Sequence, residues 1–255
     1  MNDPLVILHE DAHCLAVVKP PGQFTQGEWA PPDEITLETA VRRYLDPADP
    51  RAVYLGIVHR LDRPTSGLLI WAKTAKAARR LASQFELRKV FKEYWAVVES
   101  GHRQTDDDAC GHDQTWTDWL TRPDRSGIVR AALPHATGAR EAITAVSFGT
   151  ALTLPPLCRW LRLWPQTGRT HQLRAQAARR GMPILGDRVY GSTAASPLSQ
   201  GIALHARVLA FYHPVTGSPM RLIAPIPGSW KEAGILLPEP PIAESLESMP
   251  ERPTV

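Results

Sequence analysis

The feature that most constrains the fold of this chain is a succession of short apolar runs, most of them closed by Pro, Gly or a cluster of polar residues. Runs of this length between turn-forming residues are typical of β-strands. They predict two strands separated by a polar turn within 6–18, and further strands at 55–61, 68–72, 94–98, 142–148, 157–164, 203–212 and 220–224.

Three helices are predicted at irregular positions among these strands. The first has apolar residues at helical spacing from Leu37 to Tyr44, and the second follows Thr74, a suitable N-cap. The apolar stripe of the second helix is predicted to consist of Ala78, Leu81, Ala82 and Phe85. The third helix covers 171–180 and is followed by Gly181 as a C-cap residue. The pattern predicts an α+β fold with a mixed, largely antiparallel central sheet flanked by helices.

Composition places the chain among globular proteins with a substantial core. Its 255 residues are 43% hydrophobic and 22% charged. The start of the chain, residues 1–4, has no basic region typical of a signal peptide, and no apolar window is long enough for a membrane helix. Three cysteines (Cys14, Cys110 and Cys158) allow one disulfide at most. We therefore expect reduced thiols, a cytoplasmic location and no membrane association. A self-contained core of this size also allows a monomer, which we expect here.

Charge is distributed unevenly although the net charge is only +3. Residues 73–94 hold seven Lys or Arg against two Glu, and residues 159–188 hold seven Arg against one Asp. Acidic residues concentrate instead at 105–124 and after 231. Two basic segments with the acids segregated elsewhere favour a surface that follows the phosphates of a nucleic acid.

The sequence lacks the usual cofactor signatures, since it has no GxGxxG, GxxxxGK[ST] or HExxH motif. The Cys110-Gly111-His112 segment has too few ligands for a zinc pattern. No cofactor and no metal are therefore expected.

Asp62 is the strongest candidate for a reactive group. It directly follows the predicted strand 55–61, lies between Arg60 and Arg63, and precedes a polar turn that leads into apolar residues. A carboxylate in this position can be held rigidly, and neighbouring guanidinium groups favour its ionised form. The alternative is that Asp62 only caps a β-turn with its side chain.

The block around Asp62, His-Arg-Leu-Asp-Arg-Pro-Thr-Ser-Gly-Leu-Leu, resembles the HRLDxxTSGLL signature of the RluA family of pseudouridine synthases. The resemblance extends over about residues 5–230. Further blocks similar to those of the family follow in order: VVKPPG at 17–22, KEYWAVV at 92–98, TGRTHQLR at 167–174, PILGDRVYG at 183–191, LHA at 204–206 and HPVTG at 213–217.

The resemblance implies a pseudouridine synthase fold with a central catalytic cleft, and isomerisation of uridine to pseudouridine in rRNA or tRNA. It implies a catalytic domain over 1–230 and a Pro- and Glu-rich tail over 231–255, without an S4-type RNA-binding module. Loops 28–50 and 105–127 are expected to recognise the RNA. Because the reaction is an isomerisation, it needs neither a redox cofactor nor a metal.

The resemblance also implies roles for particular residues. Asp62 would be the nucleophile, Tyr94 would contact the base and is a candidate to remove the C5 proton, and Arg174 would pair with Asp62. Residues implied in substrate binding are Arg60, which would replace the extruded uridine in the RNA stack, Arg169 at a phosphate, Leu185 under the flipped base, and His59 in the same block as Asp62.

Two other functions stay open at this point. One is an RNA-binding or chaperone protein that keeps the fold without catalysis. The other is a glycosidase with Asp62 as nucleophile, although such an enzyme normally needs a second carboxylate as general acid, and no other acid in these blocks clearly supplies it.

Overall fold

The computed structural model describes residues 5–27, 30–99, 113–152, 157–193 and 198–237. These residues form two compact units. The first unit comprises residues up to 91 together with 206–225, and the second comprises 92–205 together with the residues from 226 to 237. In the part of the chain that the structure describes, no helix combines the length and apolar character needed to cross a membrane.

The elements confirm the predicted α+β class, with many strands and few helices. In chain order they are β1 (Val6–Glu10), β2 (Cys14–Lys19), α1 (Leu37–Leu45), β3 (Gly56–Ile57), β4 (Ser66–Ala72), α2 (Ala75–Glu86), β5 (Phe91–Glu99), β6 (Asp113–Leu120), β7 (Ala131–Ala132), β8 (Arg140–Leu152), β9 (Cys158–Pro165), α3 (Gln172–Arg179), β10 (Leu204–Tyr212), β11 (Pro219–Ile223) and α4 (Gly228–Glu232).

The first unit is built on antiparallel pairs in which β2 lies between β1 and β4, while β3 pairs with β4 and β11 pairs with β10. Strand β4 is buried along its whole length. Helix α2 begins as predicted, because the Thr74 side chain accepts a hydrogen bond from the Ala77 N–H. Its fully buried residues are Ala77 and Leu81, whereas Ala82 is exposed, so the buried stripe lies slightly to one side of the prediction.

The second unit is built on the antiparallel strand order β5-β9-β8-β6-β7. Its core contains Trp95, Trp116, Leu161 and residues of the short helix α3. Strand β10 begins in this unit and continues into the first one. The Val97 N–H of β5 donates to the Ala203 carbonyl just before β10.

The strand predicted at 55–61 is largely wrong, because only Gly56–Ile57 pair as a strand. The backbone of Leu61 is satisfied by a side chain instead. The Thr25 hydroxyl accepts from the Leu61 N–H at 3.3 Å and donates to the Leu61 carbonyl at 2.8 Å. A buried backbone whose polar groups are already paired in this way needs no strand partner.

The acidic stretch at 105–124 falls within the predicted RNA-recognition loop 105–127, but part of it forms a strand. Residues 100–112 lie outside the described residues, but Asp113–Leu120 form strand β6, in which Trp116 is buried. Asp118 is buried on the same strand because it forms ion pairs with Arg179 and Arg180. The charge that suggests solvent exposure is therefore neutralised by cations distant in sequence.

The chain beyond residue 225 is folded as far as it is described. Helix α4 buries Trp230, and Ile235 is buried in the core of the second unit. The predicted domain boundary at residue 230 stays a prediction, and residues 238–255 of the predicted tail lie outside the described residues.

Candidate active site

The loop that carries Asp62 is fixed on both sides of the aspartate. On one side, Thr25 holds both polar backbone groups of Leu61. On the other, the Arg63 carbonyl accepts from the Gly22 N–H at 2.9 Å and from Lys19 Nζ at 3.0 Å. The Thr65 N–H closes the turn by donating to the Asp62 carbonyl at 3.0 Å. The half-buried carboxylate therefore projects from a backbone with little freedom to move.

Lys19 is the centre of this support. Its side chain is fully buried, and Nζ donates to the carbonyls of Pro20 and Gln23 at 2.8 Å in addition to that of Arg63. Burial lowers the pKa of Lys19 to about 7, although the charge of Asp62 acts to raise it. Three carbonyl acceptors match the three N–H donors of a protonated amine. Lys19 thus ties the loop after β2 to the loop that carries Asp62.

The two arginines beside Asp62 have different environments. The Arg63 guanidinium lies 4.6 Å from the centre of the Phe24 ring, donates to the Gly22 carbonyl at 2.9 Å and lies 3.4 Å from the Glu34 carboxylate. Through these contacts Arg63 helps to fix the loop that carries Asp62 against the segment 22–34. Arg60 is exposed, and its predicted entry into an RNA stack stays a prediction.

The turn after Asp62 leads into β4 through a position that only glycine fits. Gly67 has φ +119°, and a Cβ there would lie 2.4 Å from the Ala206 carbonyl oxygen. His59 also stabilises β4, because its Nε2 accepts a hydrogen bond from the Ile70 N–H at 3.0 Å and its ring stacks on Phe85. These contacts give His59 a structural role, and its predicted contact with substrate stays a prediction.

Arg174 places a buried guanidinium in the second unit. It donates to both oxygens of Asp187, from Nε at 2.6 Å and from a terminal nitrogen at 2.9 Å. It also lies 4.9 Å from the centre of the Tyr190 ring, whose hydroxyl meets His171 Nδ1 at 3.0 Å. This bidentate pair fixes the orientation of Arg174. The predicted pairing of Arg174 with Asp62, which belongs to the first unit, stays a prediction.

Tyr94 lies on β5 opposite Leu163 and is half-buried. The alternation of the strand directs its neighbour Glu93 to the opposite face. There the buried carboxylate accepts from the indole nitrogens of Trp95 and Trp164 and from the Arg162 guanidinium. This network anchors the strand segment that carries Tyr94.

The other two predicted substrate residues also lie in the second unit. Leu185 is buried, and its N–H donates to the Val97 carbonyl at 2.9 Å. Arg169 is half-buried and donates from Nε to the Glu141 carbonyl at 2.9 Å. The predicted contacts of both residues with RNA stay predictions, as does the predicted cleft.

Much of the basic segment 159–188 is paired with carboxylates inside the second unit. Arg162 pairs with Glu93, Arg174 with Asp187, and Arg179 and Arg180 share Asp118. Net charge along the sequence therefore overstates how much of this segment is available to phosphates.

A group of potential metal ligands lies at the turn between β1 and β2. Ligand atoms of His9, Asp11 and Cys14 lie within 4.8 Å of one another. Asp11 is already an acceptor for four groups: the N–H groups of His13 and Cys14 on one oxygen, and the rings of His9 and His213 on the other. Burial raises the pKa of the Cys14 thiol to about 12. These contacts suit a hydrogen-bonded turn better than a metal site.

The other cysteines divide between the described and undescribed parts of the chain. Cys158 is buried and, like Cys14, is a free thiol. Cys110 and His112 lie outside the described residues, so the expectation that they bind no metal stays a prediction.

Comparison with known proteins agrees with this architecture. The profile of the RNA pseudouridylate synthase family matches residues 13–179. The ribosomal large subunit pseudouridine synthase D of Xylella fastidiosa is 35% identical over 88% of this chain and 66% of its own length. The tRNA pseudouridine synthase C of Pectobacterium carotovorum is 34% identical over 89% of this chain and 60% of its own length. The chain therefore belongs to the RNA pseudouridylate synthase family.

Two further similarities extend this result. The dual-specificity RNA pseudouridine synthase RluA of Vibrio vulnificus is 34% identical over 82% of this chain and 78% of its own length. The solved structure of human RNA pseudouridylate synthase domain containing 1 has a TM-score of 0.69 at 25% identity, covering 88% of this chain and 84% of that one. These similarities confirm the family and fold predicted from the sequence motifs. The chain spans 60–66% of the length of the first two relatives.

Sequence reasoning missed the residues that hold the site together. Lys19 and Thr25 hold the backbone of the residues on either side of Asp62, and Asp187 holds the side chain of Arg174, yet none of the three was singled out. A signal existed for two of them, because Lys19 and Asp187 lie inside the family-like blocks at 17–22 and 183–191. Thr25 lies outside every block.

Proposed function

We propose that this protein isomerises uridine to pseudouridine in structured RNA, either rRNA or tRNA, with Asp62 as the nucleophile. The observation that carries the proposal is the rigid presentation of Asp62, whose neighbours Leu61 and Arg63 are both held by side chains of other segments. Membership of the family supports the proposal, and the named relatives act on large-subunit rRNA or on tRNA according to their names.

The reaction breaks the N1–C1′ bond of a uridine, turns the base and forms a C5–C1′ bond. C5 loses its proton to a basic group, and the original N1, which carries no proton in uridine, gains one after it is released from C1′, so atoms and electrons balance without a co-reactant. A nucleophilic carboxylate assists departure of the base, and a fixed backbone lowers the entropic cost of positioning it. Tyr94 is our candidate for contact with the base and for removal of the C5 proton.

The decisive experiment uses total RNA from cells lacking the protein, treated with purified enzyme. Pseudouridine is mapped chemically at single-nucleotide resolution. We expect at least one new site with the wild-type protein and none with Asp62→Ala, while the affinity for RNA stays within several-fold. Glu86→Gln, which removes an exposed carboxylate from the same unit outside the loops expected to recognise the RNA, is the matched control and should retain full activity. Product formation by Asp62→Ala would contradict the assignment, and equal RNA binding without product from wild type would favour a binding-only protein.

The role of Tyr94 is tested separately by Tyr94→Phe, which keeps the ring and removes the hydroxyl. If the hydroxyl accepts the C5 proton, kcat falls by about a hundredfold or more while RNA affinity is retained. Unchanged turnover would assign proton removal to another group.

We also propose that the protein acts as a monomer in the cytoplasm. The free, buried thiols of Cys14 and Cys158 suit a reducing compartment. Sedimentation of the purified protein and fractionation of cells test the two statements independently.

A further inference from the structure

Three cations of the basic segment 73–94 lie together on the exposed side of helix α2. Lys76, Arg79 and Arg80 are all exposed, at intervals of three and four residues. This spacing places them on one side of the helix, whereas Ala77 and Leu81 are buried in the core of the first unit. The three cations form what we call the basic face of α2.

The charge of the basic face is not neutralised by the surrounding protein. In the part of the chain that the structure describes, the side chains of Lys76 and Arg79 form no hydrogen bond and no ion pair. Arg80 donates to the Pro214 carbonyl at 2.8 Å, and a neutral acceptor directs a guanidinium without cancelling its charge. The segment 159–188 differs, because much of it is paired with carboxylates.

The order of charges along α2 is the reverse of the order that stabilises a surface helix. The dipole of a helix favours acidic residues in the first turn and basic residues in the last turn. Helix α1 of the same unit follows this rule, with Glu38 in its first turn, Arg42 in its last turn and an ion pair between them at 2.9 Å. Helix α2 has no acid in its first turn and no cation in its last turn, and its single acid, Glu86, is its final residue.

The spacing of the cations on α2 adds to this cost. Lys76 is followed at three and four residues by Arg79 and Arg80, so that like charges are neighbours on the helix surface. No acid lies three or four residues from any of these cations. A helix that only covered the core would be more stable with pairs of opposite charge, as in α1. An arrangement that opposes local stability is expected where a ligand supplies the missing charge.

Two side chains of α2 fix the helix to the hairpin formed by β10 and β11. The Gln84 side chain donates to the Tyr212 carbonyl and accepts from the Tyr212 N–H, both at 2.8 Å. Arg80 reaches the Pro214 carbonyl in the same hairpin. The basic face is therefore held in place before any ligand binds, which reduces the entropic cost of binding.

We infer that the basic face of α2 binds the phosphate backbone of the RNA substrate, in addition to the residues implied in substrate binding. The choice of RNA rests on the proposed function, whereas the preference for a polyanion follows from the charges themselves. Arginine matches phosphate oxygens with paired N–H donors, and lysine acts as a point charge. At 1.5 Å per residue, Lys76 and Arg80 are about 6 Å apart along the helix axis, so the face offers three cations within about one turn.

RNA binding measured without turnover tests this inference. Affinity for unmodified tRNA and large-subunit rRNA transcripts is determined between about 50 and about 200 mM salt, in the wild-type background and in Asp62→Ala. We expect Lys76→Gln and Arg79→Gln each to weaken binding by about tenfold at the lower salt concentration. Each should also make the slope of log K against log salt shallower by about 1. Arg79→Lys, which keeps the charge, should retain the slope.

The matched control is Lys231→Gln, which removes an exposed lysine from α4, outside both basic segments and the loops expected to recognise the RNA. It should leave affinity and slope unchanged. An equal effect of Lys231→Gln would overturn the inference, because it would indicate a response to net charge instead of a defined surface. Wild-type affinity and slope in both Lys76→Gln and Arg79→Gln would overturn it as well.

The urea concentration at the midpoint of unfolding provides a second readout. Removal of a cation from the first turn relieves repulsion, so Lys76→Gln should unfold at the same or a higher urea concentration while it binds RNA more weakly. A lower midpoint would show that Lys76 stabilises the fold, and would overturn the inference drawn from the order of charges.

A last comparison distinguishes RNA from another anionic partner. Vesicles that contain phosphatidylglycerol are tested with the same variants. Vesicle binding that depends on Lys76 and Arg79, in a protein whose RNA binding ignores both, would assign the face to a lipid surface and overturn the inference. Failure of the proposed function is recognised separately. If the wild type forms no pseudouridine but its RNA binding depends on the basic face, the inference stands and the catalytic proposal fails.

Discussion

The loop around Asp62 and the segment 159–188 both contain family-like blocks rich in arginine, but they are stabilised in different ways. Around Asp62, backbone groups are held by Thr25, Gly22 and the single buried amine of Lys19. In the segment 159–188, side chains are held by ion pairs, of which Arg174 with Asp187 is the most buried. The comparison teaches that similar sequence composition can provide either a rigid backbone or a network of paired charges.

The largest expected effect comes from breaking the buried ion pair of the second unit. Asp187→Asn removes the carboxylate that accepts two hydrogen bonds from the buried Arg174 guanidinium, which should lower the free energy of unfolding by about 3–5 kcal/mol. Urea unfolding monitored by tryptophan fluorescence measures the change. A loss below about 1 kcal/mol would show that this ion pair contributes little to stability. The segment 159–188 would then not be stabilised mainly by ion pairs, in contrast to the comparison above.

The second prediction concerns the pH dependence contributed by Lys19. Its pKa is 10.5 in a model peptide and about 7 in the folded protein, so between these pH values the unfolded chain binds more protons. The free energy of unfolding must therefore rise with pH across this window, and the contribution is complete above the unfolded pKa. Relative to Lys19→Met, which does not titrate, the wild type should gain on the order of 3 kcal/mol between pH about 7 and about 9.5.

Urea unfolding of wild type and Lys19→Met at both pH values provides the measurement. The difference between the proteins isolates Lys19 from other titrating groups. Parallel changes in the two proteins would mean that the three carbonyl acceptors keep the amine protonated across the window.

A smaller effect is expected from substitution of Thr25, which tests what its two hydrogen bonds to the Leu61 backbone contribute. Thr25→Val keeps the shape of the side chain and removes both hydrogen bonds to Leu61, and should cost about 1–3 kcal/mol. Because the Asp62 loop loses one of its two supports, kcat for pseudouridine formation should fall more than KM rises. Thr25→Ser retains the hydroxyl and should restore kcat, an outcome that a purely global loss of stability does not predict.

The smallest effect is expected at an exposed ion pair of the second unit, between Asp124 and Arg130. Asp124→Asn repeats the chemical change of Asp187→Asn at a site where both partners are solvent-accessible, with the closest approach 3.5 Å. We expect a change below about 1 kcal/mol, which added salt reduces further. An effect as large as that of Asp187→Asn would show that burial does not set the strength of these pairs.

The sequence by itself determined the class of fold, most strands, the first three helices and the family. Apolar periodicity and capping residues such as Thr74 are local, so they can be read without knowledge of distant contacts. The blocks around Asp62 and Arg174 are continuous in the chain for the same reason.

Only the tertiary structure decided how these residues are supported and which charges remain available. Thr25 replaces a strand partner for Leu61, and Asp118 is buried because Arg179 and Arg180 reach it from α3 and its end. Lys76 and Arg79 have no carboxylate partner in the described part of the chain, which leaves their charges exposed on α2. Burial and charge pairing depend on neighbours in space, and the linear order of residues does not specify them.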